Sequence, residues 1–213
     1  LAVMKAHGVD RISINPQSMN DSTLRLIGRS HCVEDIYEAF RIAAESGIEH
    51  INTDLIAGLP GEDHVMFMHT LDEVIRLAPD NITVHTLAVK RASRLREQDS
   101  DYHYSGGEVG RMVSDAAATL RDNGYFPYYM YRQKHMTGNF ENVSYAKKGT
   151  ESVYNIRIMD EHQTIIALGA GGISKAYYDD GNRLERVPNF EVYIQRIDEM
   201  IQRKDEKLYL PFE

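Results

Sequence analysis

Three hydrophobic runs in this chain end in polar residues spaced at period two. They are Ser13, Asn15 and Gln17 in RISINPQS, Asn52 and Asp54 in HINTDLIAGLPG, and Thr83 and His85 in NITVHTLAV. That alternation puts each set on one face of a strand. Long helical patterns separate the runs, which is the rhythm of βαβ units, whose ligands bind beyond the C-terminal strand ends. Gln17, Asp54 and Arg29 form the first candidate group. A strand-end Asp accepts two hydrogen bonds from a ribose diol, a Gln donates and accepts on the same nucleoside, and an Arg holds a carboxylate bidentately. Together they would grip a nucleoside bearing an amino-acid tail. The competing account has Asp54 capping a turn and Arg29 in solvent.

Other motifs are less specific. Gly58-Leu59-Pro60-Gly61 suits an anion-binding turn or a rigid βα connection, and it lacks the full GxGxxG or GxxxxGK pattern. Gly169-Ala170-Gly171-Gly172 would let a planar ligand approach the backbone, or only permit positive φ. His31 and Cys32 are adjacent, without an evident third group to orient a catalytic thiol, which favours a structural role. Asp160, Glu161 and His162 read as a turn before they read as metal ligands. The aromatic run from Tyr125 to Tyr131 suits either a pocket for a flat ligand or sheet packing.

The elements that must position these residues are predicted strands at 11–15, 51–56 and 82–88. Helices are predicted over 18–27 with Asp21 as cap, 33–46 with Ile36, Ala39, Phe40 and Ala43 inward, 62–77, 108–122 and 190–207. Residues 90–105 read as an exposed excursion, a candidate lid. The run 125–131 reads as an edge strand, since Pro127 removes a donor. Further strands are expected at 155–159 and 164–168, with a hairpin turning at Asp180-Gly181-Asn182. The opening LAVMKA reads as the tail of a helix stopped at His7-Gly8, which implies a lost N-terminal region or else a short capping helix.

The chain has 213 residues, 42% hydrophobic and 26% charged, an ordinary globular composition. A net charge of -8 argues against nucleic acid as partner. The single Cys32 excludes an internal disulfide and a metal cluster held by several cysteines of this chain, and it fits a reducing, cytoplasmic setting. No apolar run is long enough to span a bilayer.

The segment Gly8-Val9-Asp10-Arg11-Ile12-Ser13-Ile14-Asn15-Pro16-Gln17-Ser18 resembles the fourth-strand segment of the radical S-adenosylmethionine enzymes related to oxygen-independent coproporphyrinogen III oxidase. Gly28-Arg29-Ser30-His31 is similar to the Gly-Arg-x-His that follows, and Asp54-Leu55-Ile56-Ala57-Gly58-Leu59-Pro60-Gly61 to that family's Asp-Leu-Ile-x-Gly-Leu-Pro-Gly. Gly149-Thr150-Glu151-Ser152-Val153-Tyr154-Asn155 and Thr164-Ile165-Ile166-Ala167-Leu168-Gly169-Ala170-Gly171 resemble the subgroup of coproporphyrinogen dehydrogenases of the Bacillus and Clostridium type. The resemblance covers nearly the whole chain.

It implies an α/β fold, the C-terminal part of a partial (β/α)6 barrel with a mixed α+β addition. Residues 1–122 would carry strands four to six, and 123–213 the oxidase-family C-terminal region. Gln17, Arg29 and Asp54 match positions that contact S-adenosylmethionine, and Gly169, Ala170 and Gly171 the glycine loop near the active site. The implied cofactors are S-adenosylmethionine and one 4Fe–4S cluster. The implied activity is radical oxidative decarboxylation of coproporphyrinogen III to protoporphyrinogen IX. The implied partners are a coproporphyrinogen-like tetrapyrrole and an electron donor such as flavodoxin or ferredoxin, with no nucleic acid and no membrane span.

The departures matter. The family's CxxxCxxC loop is absent, Ser152 stands where many relatives have Cys, and Tyr154 where the oxidases have His. The chain alone is therefore expected to be inactive, and its open strand edge to favour self-association. The alternatives are a haem-binding or haem-delivery protein on the same scaffold, or another radical enzyme that modifies porphyrins.

Overall fold

The computed structural model describes residues 1–87, 106–131, 140–160, 162–177, 183–186 and 190–208. They fall into two compact units, 1–151 and 152–213. The predicted excursion at 90–105 and the Asp180-Gly181-Asn182 turn lie outside the described residues.

The first unit runs α1 (Ala2–Ala6), β1 (Arg11–Ser13), α2 (Asp21–Leu26), α3 (Val33–Glu45), β2 (His50–Ala57), α4 (His64–Leu77), β3 (Asn81–Thr86), α5 (Gly106–Asp122), β4 (Tyr125–Tyr131) and β5 (Asn142–Lys147). Its five strands form one open mixed sheet in the order β1-β2-β3-β5-β4. The first three are parallel, and β5 and β4 add antiparallel. The crossovers between parallel strands are helical, as parallel pairing requires.

Local chemistry fixes the helix ends. The Cys32 N–H donates to Asp35 at 2.8 Å and the Val33 N–H to Asp21 at 2.8 Å, so two carboxylates cap α3. Asp21 thus caps α3, not α2 as its position suggests, and α2 starts at Asp21 itself with Asn20 before it. The carboxylate of Asp63 accepts from the Met66 N–H at 2.9 Å, which starts α4 at His64 and leaves Glu62 in the preceding turn. Helix α4 stops at Ala78, whose φ of 54° is left-handed, just before Pro79.

One face of the sheet is covered by helices. Leu55, Ala57, Ile82, Val84 and Tyr145 from the strands pack with Phe40, Phe67, Leu71, Val109, Met112 and Leu120 from the helices. Each large apolar side chain buried this way contributes about 2 kcal/mol. The Tyr125 hydroxyl, buried at the start of β4, donates to the Pro79 carbonyl at 2.7 Å. As expected for an edge strand, β4 pairs only with β5, and its register shifts between Pro127 and Tyr129.

The second unit contains α6 (Val153–Asp160), the antiparallel pair β6 (Ile173–Ala176) and β7 (Arg183–Arg186), α7 (Phe190–Gln195) and α8 (Ile197–Leu208). Here the sequence expectations need correction. The expected strand at 155–159 is the helix α6, for which the Ser152 carbonyl accepts the Ile156 N–H at 3.1 Å. Five residues of alternation do not separate a strand from a surface helix that buries no side chain. The expected strand at 164–168 pairs only at Ile165, through a bridge to Lys175. The single helix expected at 190–207 is broken at Arg196. No helix among the described residues is long and apolar enough to cross a membrane.

Candidate functional site

The face of the sheet opposite the helices is polar, and pairing register builds it row by row. Asn52 lies opposite Asn81, Asp54 opposite Thr83, and Ile56 opposite His85. The antiparallel strands continue the face, with Ser144 of β5 opposite Thr83 and, on the other side, opposite Tyr129. Side chains then bond across strands. Arg11 donates to Asn52 Oδ1 at 2.8 Å and to the Thr150 carbonyl at 2.8 Å, which also accepts from Asn81. The hydroxyls of Thr83 and Ser144 are 2.9 Å apart. Burial pushes the Tyr129 phenol up, while hydrogen bonds with Thr83 and Ser144 partly oppose that shift. Tyr129 and Tyr131 stack with ring centroids 6.3 Å apart.

Gln17 and Asp54 are brought together by backbone. The Gln17 N–H donates to the Asp54 carbonyl at 3.1 Å, and the Ile56 N–H donates to the Gln17 carbonyl at 3.1 Å. Gln17 holds a left-handed φ of 69°, costly for a residue with a long side chain, and it is buried. The Asp54 carboxylate stays partly open on the polar face, with 30% of its side chain exposed.

Arg29 is exposed and follows α2. It lines a cavity of about 360 Å³ with Ile14, Asn15, His31, Asp35 and Ile36, at the C-terminal end of β1. Within it, Asn15 Oδ1 and His31 Nε2 are buried with no hydrogen-bond partner among the described residues. A guanidinium beside an unsatisfied ring nitrogen and an amide oxygen is a donor and acceptor set suited to a small zwitterion. His31 and Cys32 do not form a pair for nucleophilic chemistry, because the Cys32 thiol donates to Asp35 at 3.2 Å.

Glu62 was missed as a positioning residue, being read only as the first residue of the helix over 62–77. It is fully buried, and its Oε1 accepts from Ser18 Oγ at 2.5 Å and from Asn20 Nδ2 at 2.8 Å. The Met19 N–H donates to Thr70 on α4 at 3.0 Å. These bonds tie the segment just after Gln17 to the GLPG turn and α4, and so hold the strained Gln17 in place. Burial raises the Glu62 carboxyl pKa, and the Ser18 and Asn20 bonds oppose it. Its signal in the sequence was an acid directly after Gly61 with a second acid, Asp63, free to cap the helix. Gly58 in that turn has φ 82°, and an added Cβ would sit 3.0 Å from Val109. The turn is therefore shaped by conformation and by close packing on α5.

Gly169, Ala170 and Gly171 belong to the second unit. Their loop has φ 88° at Gly169 and 73° at Gly171. It is pinned on both sides by the two hydrogen bonds between Ile165 and Lys175, at 2.7 and 2.8 Å, and by Lys204 Nζ, which donates to the Ala167 carbonyl at 2.6 Å. The loop itself is mostly exposed, Leu168 reaching 87%. Of the acidic pair beside His162, Glu161 lies outside the described residues, and the His162 ring contacts Asp160.

The profile of the Radical SAM superfamily matches residues 1–74. The chain is 47% identical over 190 residues to the oxygen-independent coproporphyrinogen-III oxidase-like protein HemZ of Bacillus subtilis, covering 89% of this chain and 38% of HemZ. It is 28% identical over 200 residues to the heme chaperone HemW of the same organism, covering 93% of this chain and 49% of HemW. Among solved structures, the coproporphyrinogen III oxidase HemN of Escherichia coli superposes with a TM-score of 0.68 at 21% identity, over 92% of this chain and 45% of HemN, a likeness of fold. The chain thus spans less than half the length of each of these relatives.

Proposed function

This chain belongs to the radical S-adenosylmethionine superfamily, and from that premise we propose that its polar strand face is the nucleoside side of an S-adenosylmethionine site. The whole protein would oxidatively decarboxylate coproporphyrinogen III to protoporphyrinogen IX. The observation that carries the reading is the backbone-bonded pair of Gln17 and Asp54, with the Asp54 carboxylate open on that face.

The donor set fits the nucleoside. Asp54 would accept from the ribose hydroxyls and Gln17 would bond the same nucleoside. Arg29 would hold the carboxylate of the amino-acid tail in the cavity where Asn15 and His31 lack partners. Bound S-adenosylmethionine supplies radical hydrogen abstraction. The protein's own part is to fix the nucleoside and the substrate relative to each other. A 4Fe–4S cluster does not fit the donors of this chain. Its one cysteine bonds Asp35, and no group of three or more His, Cys, Asp or Glu among the described residues could hold a metal ion.

In this reading β1, β2 and β3 are strands four to six of a partial (β/α)6 barrel within residues 1–122. Residues 123–213 are the oxidase-family region, which lends β4 and β5 to the sheet and carries Gly169, Ala170 and Gly171. An electron donor of the flavodoxin or ferredoxin type belongs to the same proposal. The test is anaerobic incubation of the whole, reduced protein with S-adenosylmethionine and coproporphyrinogen III. Consumption of S-adenosylmethionine with protoporphyrinogen IX as product is expected. No consumption with any porphyrinogen overturns the reading.

One observation favours a second reading, haem binding on the same scaffold. The stacked Tyr129 and Tyr131 offer a flat surface on the polar face, and the B. subtilis relative named above is a heme chaperone. Stoichiometric haem uptake without decarboxylation would select it.

A further inference from the structure

We propose that His85 is a positioning residue for the Asp54 carboxylate, and that Tyr131 in turn fixes His85, so that nucleoside recognition spans β2, β3 and β4. This rests on the reading of Asp54 as a nucleoside ligand. The His85 ring stands between the two groups, with Nε2 3.5 Å from Asp54 Oδ2 and Nδ1 3.1 Å from the Tyr131 hydroxyl. The tautomer carrying its proton on Nε2 would serve both contacts, with Nε2–H toward the carboxylate and Nδ1 accepting the Tyr131 O–H.

The far end of this line is anchored. The rings of His85 and Tyr131 meet edge-on, and Tyr131 stacks on Tyr129. Thr83 and Ser144, on the two intervening strands, bond each other at 2.9 Å, and Tyr129 lies opposite Ser144 in the sheet. At the near end, His85 brings a ring nitrogen within ion-pair distance of the Asp54 carboxylate. A carboxylate turned by one ring nitrogen on Oδ2 keeps its other oxygen for the ligand and loses less rotational freedom on binding. His85 is 21% exposed and sits on the open face rather than in the core, so its replacement spares the core packing.

The experiment is equilibrium dialysis of S-adenosylmethionine against the whole, cluster-loaded protein and its H85F, H85Q, Y131F, D54N and H85F/D54N variants. Thermal midpoints are recorded for each. H85F is expected to weaken binding about fivefold, as for loss of one polar contact to a charged group. Y131F should weaken it about twofold, because it acts one contact further away. H85Q, which keeps a donor, should recover most of the loss. The double variant should bind no worse than D54N alone, because His85 acts only through Asp54. If D54N weakens binding and H85F does not, or if the two losses add, the positioning role of His85 is overturned while the nucleoside reading stands. If D54N leaves affinity unchanged, the nucleoside reading itself fails and this inference with it. An H85F effect matched by H85Q and by a lowered midpoint would mark His85 as merely structural and overturn the proposal.

Discussion

The two units hold their candidate functional residues by different means. In residues 1–151, Gln17 and Asp54 are fixed by strand backbone, by the buried Glu62 cluster behind Gln17, and by side chains bonded across strands. In residues 152–213, Gly169, Ala170 and Gly171 ride on an exposed loop anchored at its ends by the Ile165–Lys175 bridge and by Lys204. Ligand groups on a rigid sheet keep their geometry when empty, whereas a loop held only at its ends opens at low cost. The Gln17–Asp54 face is therefore preorganised, and the glycine loop is the segment freer to move.

Substitutions at four positions test that contrast. Glu62→Ala should have the largest effect, about 3 kcal/mol of lost stability in chemical denaturation, because it leaves a cavity and strips the partners of Ser18 and Asn20. A loss near zero would show that Gln17 needs no latch. Glu62→Gln keeps the shape and tests the charge. The Glu62 pKa is raised in the fold from an ordinary value of 4.5. Below that range the carboxyl is protonated whether folded or not. As pH rises above it the unfolded chain ionises first, so the Glu62 contribution falls with pH until the folded carboxyl ionises too. Glu62→Gln should therefore flatten the decline of stability with rising pH, read from denaturation midpoints across that range.

Gly58→Ala comes next, at about 2 kcal/mol, since the φ of 82° and the 3.0 Å approach to Val109 both oppose a side chain. Asp54→Asn should cost little stability, being partly exposed, while weakening S-adenosylmethionine binding about tenfold. Lys204→Met should have the smallest effect, under about 1 kcal/mol, because it removes one hydrogen bond from a loop that is already mostly exposed. A Lys204→Met loss as large as that of Glu62→Ala would erase the difference between the units.

Much of the first unit was legible in the sequence. Alternation in RISIN, HINTDLIA and NITVHT marked the parallel strands and their polar face, and Ile36, Phe40 and Ala43 marked the buried side of α3. The antiparallel strand β5 was not seen, because NVSYAK is short, mixes polar with apolar residues, and takes its place only by pairing with β3 and β4, which lie some distance away in sequence. For the same reason nothing local revealed that Tyr129 and Tyr131 share a face with Asp54. Glu62 was hidden because burial of an acid depends on Ser18 and Asn20 meeting it from another element, with Thr70 holding Asn20 in turn. In the second unit, α6 was misread because it buries nothing and so leaves no helical stripe of apolar residues.

The central claim is that the Gln17–Asp54 face binds the nucleoside. Its most direct test is the affinity of the whole protein for S-adenosylmethionine before and after Asp54→Asn, with the thermal midpoint as control. About tenfold weaker binding at an unchanged midpoint is predicted. Unchanged affinity in a folded Asp54→Asn protein would contradict the account.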